Sequence, residues 1–177
     1  MCTSKIVLCI VAFLLASCGT DLLPSGSDER PVVQCGSVGP NVCQKAPDFT
    51  LSDSLGTSVT LSTTLASTGG VVLYYTMWCP VCDTDMTDMR SLMPAFPNVT
   101  FLVADYVSGT VADARNAEVS NGYAGSGFII LADTQQTVLH LYNATMGTTV
   151  VIDRNGFIQM NENYKSAKLQ SVLAGLP

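Results

Sequence analysis

Apolar and polar residues fall along this chain in blocks whose period changes. Residues 71–75 (Val-Val-Leu-Tyr-Tyr) form an unbroken run of β-formers, the length of one buried strand. Beyond residue 79 the pattern turns helical, with Met86, Met89 and Met93 three and four positions apart in a polar segment. Residues 99–105 are largely apolar without clean alternation, as a buried parallel strand should be. Residues 110–120 carry Ala112, Ala114 and Ala117 among polar positions and predict a crossover helix. A short helix is expected over 136–142 with Val138, Leu139 and Tyr142 inward, and a closing helix over 166–173. Between two apolar runs, Asp153-Arg154-Asn155-Gly156 predicts a hairpin with φ > 0 at Asn155 and Gly156. Strands alternating with helices make the class α/β.

Chemistry concentrates where the first of these strands meets its helix, at Cys79-Pro80-Val81-Cys82. The first-turn amides of a helix are unpaired and its dipole favours negative charge there. A cysteine at that cap ionises more readily, and the thiolate is the nucleophile of thiol–disulfide exchange. Two intervening residues let the second sulfur close a small disulfide ring, and Pro80 suits the first helical turn. A structural disulfide and half of a zinc site are the blander readings. Zinc needs more ligands than the segment offers, and the chain has one histidine, His140. The redox pair is preferred, with no metal and no cofactor beyond the Cys79–Cys82 disulfide itself.

The chain has 177 residues, room for one domain, and at 47% apolar it can bury a core. A net charge of −6 and the lack of a Lys/Arg run exclude a nucleic-acid surface. Seven cysteines sort by position. Cys2, Cys9 and Cys18 are at the front, Cys35 and Cys43 form an upstream pair, and Cys79 and Cys82 follow. Every cysteine past the leader has a possible partner, which suits an oxidising compartment.

Residues 1–17 read as an export signal, with Lys5 before an apolar stretch over 6–15. Leu15-Ala16-Ser17-Cys18 resembles the lipobox of bacterial lipoproteins, which implies cleavage before Cys18 and lipidation of its sulfur. Residues 18–45 are then a lipidated tether and a Cys-containing linker. Within the linker, Cys35 and Cys43 flank a Gly- and Pro-rich loop that a structural disulfide would restrain; a relay of the Cys79–Cys82 disulfide is the alternative.

From residue 46 to 177 the succession of motifs resembles the redoxin superfamily. Ala46-Pro47-Asp48-Phe49-Thr50-Leu51, Gly56 and Val59-Thr60-Leu61 are similar to its N-terminal hairpin. Trp78-Cys79-Pro80-Val81-Cys82, the run 128–133 and the run 148–158 follow in order. The nearest branch is the membrane-tethered TlpA- and ResA-type thiol–disulfide oxidoreductases. That resemblance implies a thioredoxin fold, a central mixed β-sheet flanked by helices, with an N-terminal β-hairpin extension. It also implies work in the bacterial cell envelope, facing the periplasm or the exterior. There a lipid-anchored monomer would act on exported protein thiols or disulfides.

The resemblance assigns roles and exposes departures. Cys79 becomes the attacking and Cys82 the resolving sulfur. Trp78 packs over the site, where Met146 and Gly147 take part in substrate docking. Gly147 stands where the family carries a cis-proline, and a cis bond without proline costs about 2.5–4 kcal/mol, so the family's backbone is not expected there. Asp85 sits where such proteins place an acid that takes the proton of the buried cysteine. Its place beside Asp83 and Asp88 in the helix's first turns equally suits a simple dipole role.

Two other functions remain open. Thr76-Met77-Trp78-Cys79 resembles part of the peroxiredoxin signature, although Val72 replaces its proline and no catalytic arginine is assignable. A copper-handling lipoprotein of the Sco kind would use Met77, Met146, His140 and the helix methionines, but that family spaces its cysteines one residue further apart. Met86, Met89 and Met93 are otherwise expected in the core.

Overall fold

The computed structural model describes residues 32–177, so the signal-peptide and Cys18 lipidation readings fall outside the described residues. Two short strands, β1 (Thr50–Ser52) and β2 (Ser58–Thr60), pair antiparallel as a separate hairpin. Five more strands form the main sheet in the order β5-β4-β3-β6-β7. They are β3 (Gly70–Thr76), β4 (Val99–Asp105), β5 (Ile129–Ala132), β6 (Thr148–Asp153) and β7 (Ile158–Asn163). β3, β4 and β5 run parallel, whereas β6 is antiparallel to β3 and β7 to β6. The helices are α1 (Leu61–Ser67), α2 (Pro80–Leu92), α3 (Val111–Ser120), α4 (Thr137–Leu141) and α5 (Ser166–Ala174). This is the mixed sheet flanked by helices of a thioredoxin fold.

Alternation along the central strand divides its side chains between two cores. Val71, Leu73 and Tyr75 face a cluster completed by Phe49, Leu61, Leu65, Val138 and Tyr142, so the hairpin side, α1 and α4 cover that face. Val72 and Tyr74 face a second cluster with Cys82, Met86 and Met89 from α2 and Leu169 and Leu173 from α5. A strand covered on both faces needs apolar residues at every position, which is why its sequence shows no period of two.

Three features were not expected from the sequence. Helix α1 follows β2 directly, burying Leu61 and Leu65. Glu118 of α3 is buried, accepting from the hydroxyl of Ser54 and paired with Arg115 at 2.7 Å. The β6–β7 turn has positive φ only at Gly156, not at Asn155. There the Gly156 N–H donates to Asp153 O at 2.9 Å and the Asp153 N–H to Phe157 O at 3.0 Å. A right-handed turn closed by one left-handed glycine suffices, and the Asp153 carboxylate holds it by accepting the amides of Asn155 and Phe157.

The end of the segment expected as tether and linker, from Val33 onward, packs with the domain. Val33–Pro177 forms one compact unit, because the segment before residue 46 pairs with the edge of the sheet. The Cys43 N–H donates to Ile158 O, the Ile158 N–H to Gln44 O, and the Ala46 N–H to Gly156 O, each at 2.9 Å. Cys35 and Cys43 are disulfide-bonded within this loop, with their Cα atoms 4.9 Å apart.

Candidate active site

β3 ends at Thr76, and three residues later Cys79 caps α2 with Pro80 in the first turn. The Cys82 N–H points at Cys79 Sγ, 3.2 Å away. Both thiols are free; Cys79 is half-buried, whereas Cys82 is fully buried beneath the helix against β3. Of the two sulfurs, Cys79 is therefore the more accessible.

Ionisation is a property of the pair rather than of the cap residue. Burial pushes the Cys79 thiol above its ordinary value and the neighbouring Cys82 sulfur adds to this, against the pull of the Cys82 and Val81 amides. Burial acts upward on Cys82 as well, but hydrogen bonding from Cys79, from the Met77 and Cys79 backbone and from Thr76 sets it below the ordinary value. The two thiols are thus shifted in opposite directions, Cys79 upward and Cys82 downward, with burial and contact with the other thiol weighing most on each.

The loop before the pair is strained and tied down. Trp78 has φ +60°, a conformation bulky side chains rarely adopt. Its N–H donates to Thr76 Oγ1 at 3.0 Å, and its indole Nε1–H to Asp105 Oδ2 at 2.8 Å. Asp105 closes β4, is fully buried, and also accepts from the Val107 and Ser108 amides and the Ser108 hydroxyl. The sequence reading missed Asp105. Its signal was an acid at the carboxyl end of a parallel strand, where α/β sheets build their sites.

Across from Cys79 lies the loop entering β6. Met146 Sδ is 3.2 Å from Cys79 Sγ. Gly147 has φ +80°, and its N–H donates to Tyr75 O at 3.0 Å. No peptide bond among the described residues is cis. Asp85 projects from the second turn of α2 toward β3. Its Oδ2 accepts from the Tyr74 hydroxyl at 2.9 Å, and no hydrogen bond links it to either cysteine. Burial raises the Asp85 carboxyl above the usual range, the Tyr74 bond opposes this, and the charge of Asp88 adds to it. Tyr74, fully buried on β3, was not singled out in the sequence, because it looks like one more core aromatic.

The residues weighed as a copper site are not brought together. Met86 and Met89 are fully buried in the core under α2. His140 is exposed on α4, which covers the opposite face of the sheet. Among the described residues no group of three or more His, Cys, Asp or Glu is placed to hold a metal ion.

A sheet of this topology, with a Cys-x-x-Cys pair opening α2, is matched by a family model over residues 42–161, described as the AhpC/TSA family. The chain belongs to the AhpC/TSA family. It is thus a redoxin, a thiol oxidoreductase on a thioredoxin fold. No curated protein sequence matches this AhpC/TSA member. Among solved structures it is similar to MTB dsbF, at 20% identity and TM-score 0.61, over 73% of this chain and 95% of that one. It is also similar to the peroxidoxin BcpB from Mycobacterium tuberculosis, at 23% identity and TM-score 0.60, over 73% and 92%. The exposed lipoprotein thioredoxin Etrx1 from Streptococcus pneumoniae strain TIGR4 is similar at 21% identity and TM-score 0.59, over 73% and 100%. At these identities the likeness is one of fold.

Proposed function

We propose that this protein exchanges disulfides with exported proteins through Cys79 and Cys82, outside the cytoplasm and anchored by a lipid on Cys18. The observation that carries the proposal is the unequal burial of two free thiols at one helix start, Cys79 reachable and Cys82 not. Cys79, as thiolate, attacks a client disulfide; one client sulfur leaves as a thiol and a mixed disulfide forms. Cys82 then attacks Cys79 Sγ, and the second client sulfur leaves. The client gains two electrons and two protons, and the pair becomes a disulfide. The reverse sequence oxidises a client dithiol. The cell-envelope setting draws support from the lipobox resemblance and from the likeness to Etrx1, an exposed lipoprotein thioredoxin.

Trapping tests this reading. Cys82→Ser should accumulate a mixed disulfide between Cys79 and a peptide disulfide, visible by intact mass, and Cys79→Ser should form none. A wild-type pair that neither reduces a peptide disulfide nor is reduced by a dithiol would remove it. A thiol peroxidase is the second reading, favoured by the family match and by Thr76, whose hydroxyl acts on Cys82. Against it, Val72 stands where the peroxiredoxin signature carries proline. Peroxide consumption with a generic dithiol, faster than disulfide exchange, would promote it.

A further inference from the structure

Two methionines of the described residues stand open to solvent, Met77 at 45% and Met146 at 36% exposure, whereas Met86, Met89 and Met160 are buried. Met146 is set apart by what lies behind it. Its Sδ is 3.2 Å from Cys79 Sγ, within the window of about 3–3.5 Å in which two atoms are positioned to react. The approach is built into the backbone. The Thr148 N–H donates to Thr145 O at 3.0 Å and closes a tight turn around Met146 and Gly147, whose φ of +80° lets the chain reverse. The Gly147 N–H donates to Tyr75 O at 3.0 Å, and Gly147 O accepts the Tyr164 N–H at 2.8 Å. The strand that delivers the cysteines thus also fastens the turn that carries Met146.

Whenever Cys79 and Cys82 are joined in a disulfide, the Met146 thioether is the soft, oxidisable atom left beside them. A two-electron oxygen donor, a peroxide or hypochlorous acid, converts it to a sulfoxide, which is polar and chiral, on the residue that covers Cys79. We infer that Met146 is an oxidant-modified site that the Cys79–Cys82 pair itself repairs, acting as an intramolecular methionine sulfoxide reductase. With the pair reduced, Cys79 Sγ attacks Met146 Sδ, and an S–S bond forms as the S–O bond breaks. The oxygen leaves as water, carrying the thiol protons of Cys79 and Cys82. Cys82 Sγ then attacks Cys79 Sγ, and the bond to Met146 breaks with its electron pair returned to the thioether. The pair has lost two electrons and two protons and become a disulfide; Met146 has gained the two electrons and lost the oxygen. This second step is the resolution of a mixed disulfide with a thioether as the leaving group. Oxygen delivered from solvent reaches Sδ on the side that Cys79 does not occupy, which leaves the attacking sulfur its approach.

The inference rests on the exchange reading, since it uses the same pair, and is separable from it by experiment. The disulfide form, its cysteines protected, is oxidised with hypochlorous acid, freed of oxidant and opened with dithiothreitol. Peptide mass then follows the added oxygen at each methionine. Met77, the more exposed of the two, is the internal control and reports what the dithiol removes unaided. Oxygen at Met146 should disappear at least about 10²-fold faster than at Met77, a modest share of what positioning of reacting atoms supplies. Cys79→Ser, oxidised in the same way, should keep the oxygen at both positions. Loss from Met146 at the Met77 rate, or equally fast loss in Cys79→Ser, would overturn the repair. So would a Met146 that takes up no oxygen while Met77 does. Protein that keeps its Met146 sulfoxide yet closes its pair against a peptide disulfide loses this inference and retains the exchange reading. A pair that the dithiol cannot open and a peptide disulfide cannot close would overturn both.

Discussion

Met146 Sδ stands 3.2 Å from Cys79 Sγ, covering that sulfur from the side where the redoxin resemblance implied a proline ring. Glycine at 147 therefore does not leave the site as open as its missing ring suggests, because the preceding methionine supplies the cover. Met146→Ala should uncover Cys79. Losing a weak sulfur contact of about 0.5–1 kcal/mol corresponds to a rate gain of about 2- to 5-fold with a bulky disulfide reagent. Iodoacetamide, being small, should gain less. Equal or slower reaction with both reagents would show that Met146 does not screen the sulfur.

Gly147 is held by its own geometry rather than by crowding. A Cβ added there would meet only Asp85 Oδ2, at 3.9 Å, which is ordinary contact. At φ +80°, however, any L side chain is strained, so Gly147→Ala should cost about 1–2 kcal/mol of stability in urea. Gly147→Pro should cost about 3 kcal/mol or more, since proline fixes φ near −65° and deletes the N–H donated to Tyr75 O. Restoring the family's residue is thus expected to weaken the protein. A Gly147→Pro variant as stable as wild type would require a different backbone at this turn.

Most of the sheet was legible because its code is local. The run 99–105 and β4 coincide, and α3 begins one residue after its Thr110 cap, whose hydroxyl accepts the Asp113 N–H. Val138, Leu139 and Tyr142 turn inward as their spacing implied. The site was legible where one motif carried it, at Cys79 and Cys82, and illegible where distant segments converge. Asp105 is 27 positions from Trp78, and no spacing rule links them. Tyr74 and Tyr75 read alike in sequence, yet the pleat sends one to Asp85 and the other to the carbonyl of Val138. Glu118 looked like an exposed helix residue until the hairpin brought Ser54 over it.

Asp105 anchors both the strained Trp78 and the loop after β4. Asp105→Ala would leave the indole N–H and two amides seeking new partners. At about 1–3 kcal/mol for each buried group left unpaired, the loss should exceed about 2 kcal/mol. Asp105→Asn retains an acceptor and should cost less. Trp78 is the single tryptophan, so its emission reads the site directly. It should shift to the red in the alanine variant as the ring loosens into solvent, and an unshifted spectrum would show that packing alone holds the ring.

Asp85 carries a stability cost. Burial raises its carboxyl in the folded protein, so the native state binds the proton more tightly than the unfolded chain. Stability must then fall as pH rises from the unfolded value, near 4, through the raised folded one, and the penalty persists above it. Asp85→Asn removes the charge and should stabilise the protein at neutral pH. The gain should stay below about 1 kcal/mol, since the half-exposed carboxylate is screened by solvent. Below the unfolded pKa, both forms being neutral, the difference should vanish in urea titrations. A gain independent of pH would point to packing instead of charge.

The disulfide between Cys35 and Cys43 was open to two readings, staple or relay, and its surroundings bear on the choice. Its loop lies along β7, which β6 separates from β3 and the cysteine pair of α2. A sulfur there would have to leave its paired backbone to reach Cys79. Closing a loop of sequence separation 8 restricts the unfolded chain by about 2.5 kcal/mol on the chain-entropy account. Replacing both Cys35 and Cys43 by serine should therefore lower stability by about that amount and fray the pairing with Gly156 and Ile158, seen as faster amide exchange there. The rate at which Cys79 and Cys82 exchange with a peptide disulfide should not change. If that rate fell while the fold stayed intact, electrons would be passing through the upstream pair, and the staple would be a relay after all.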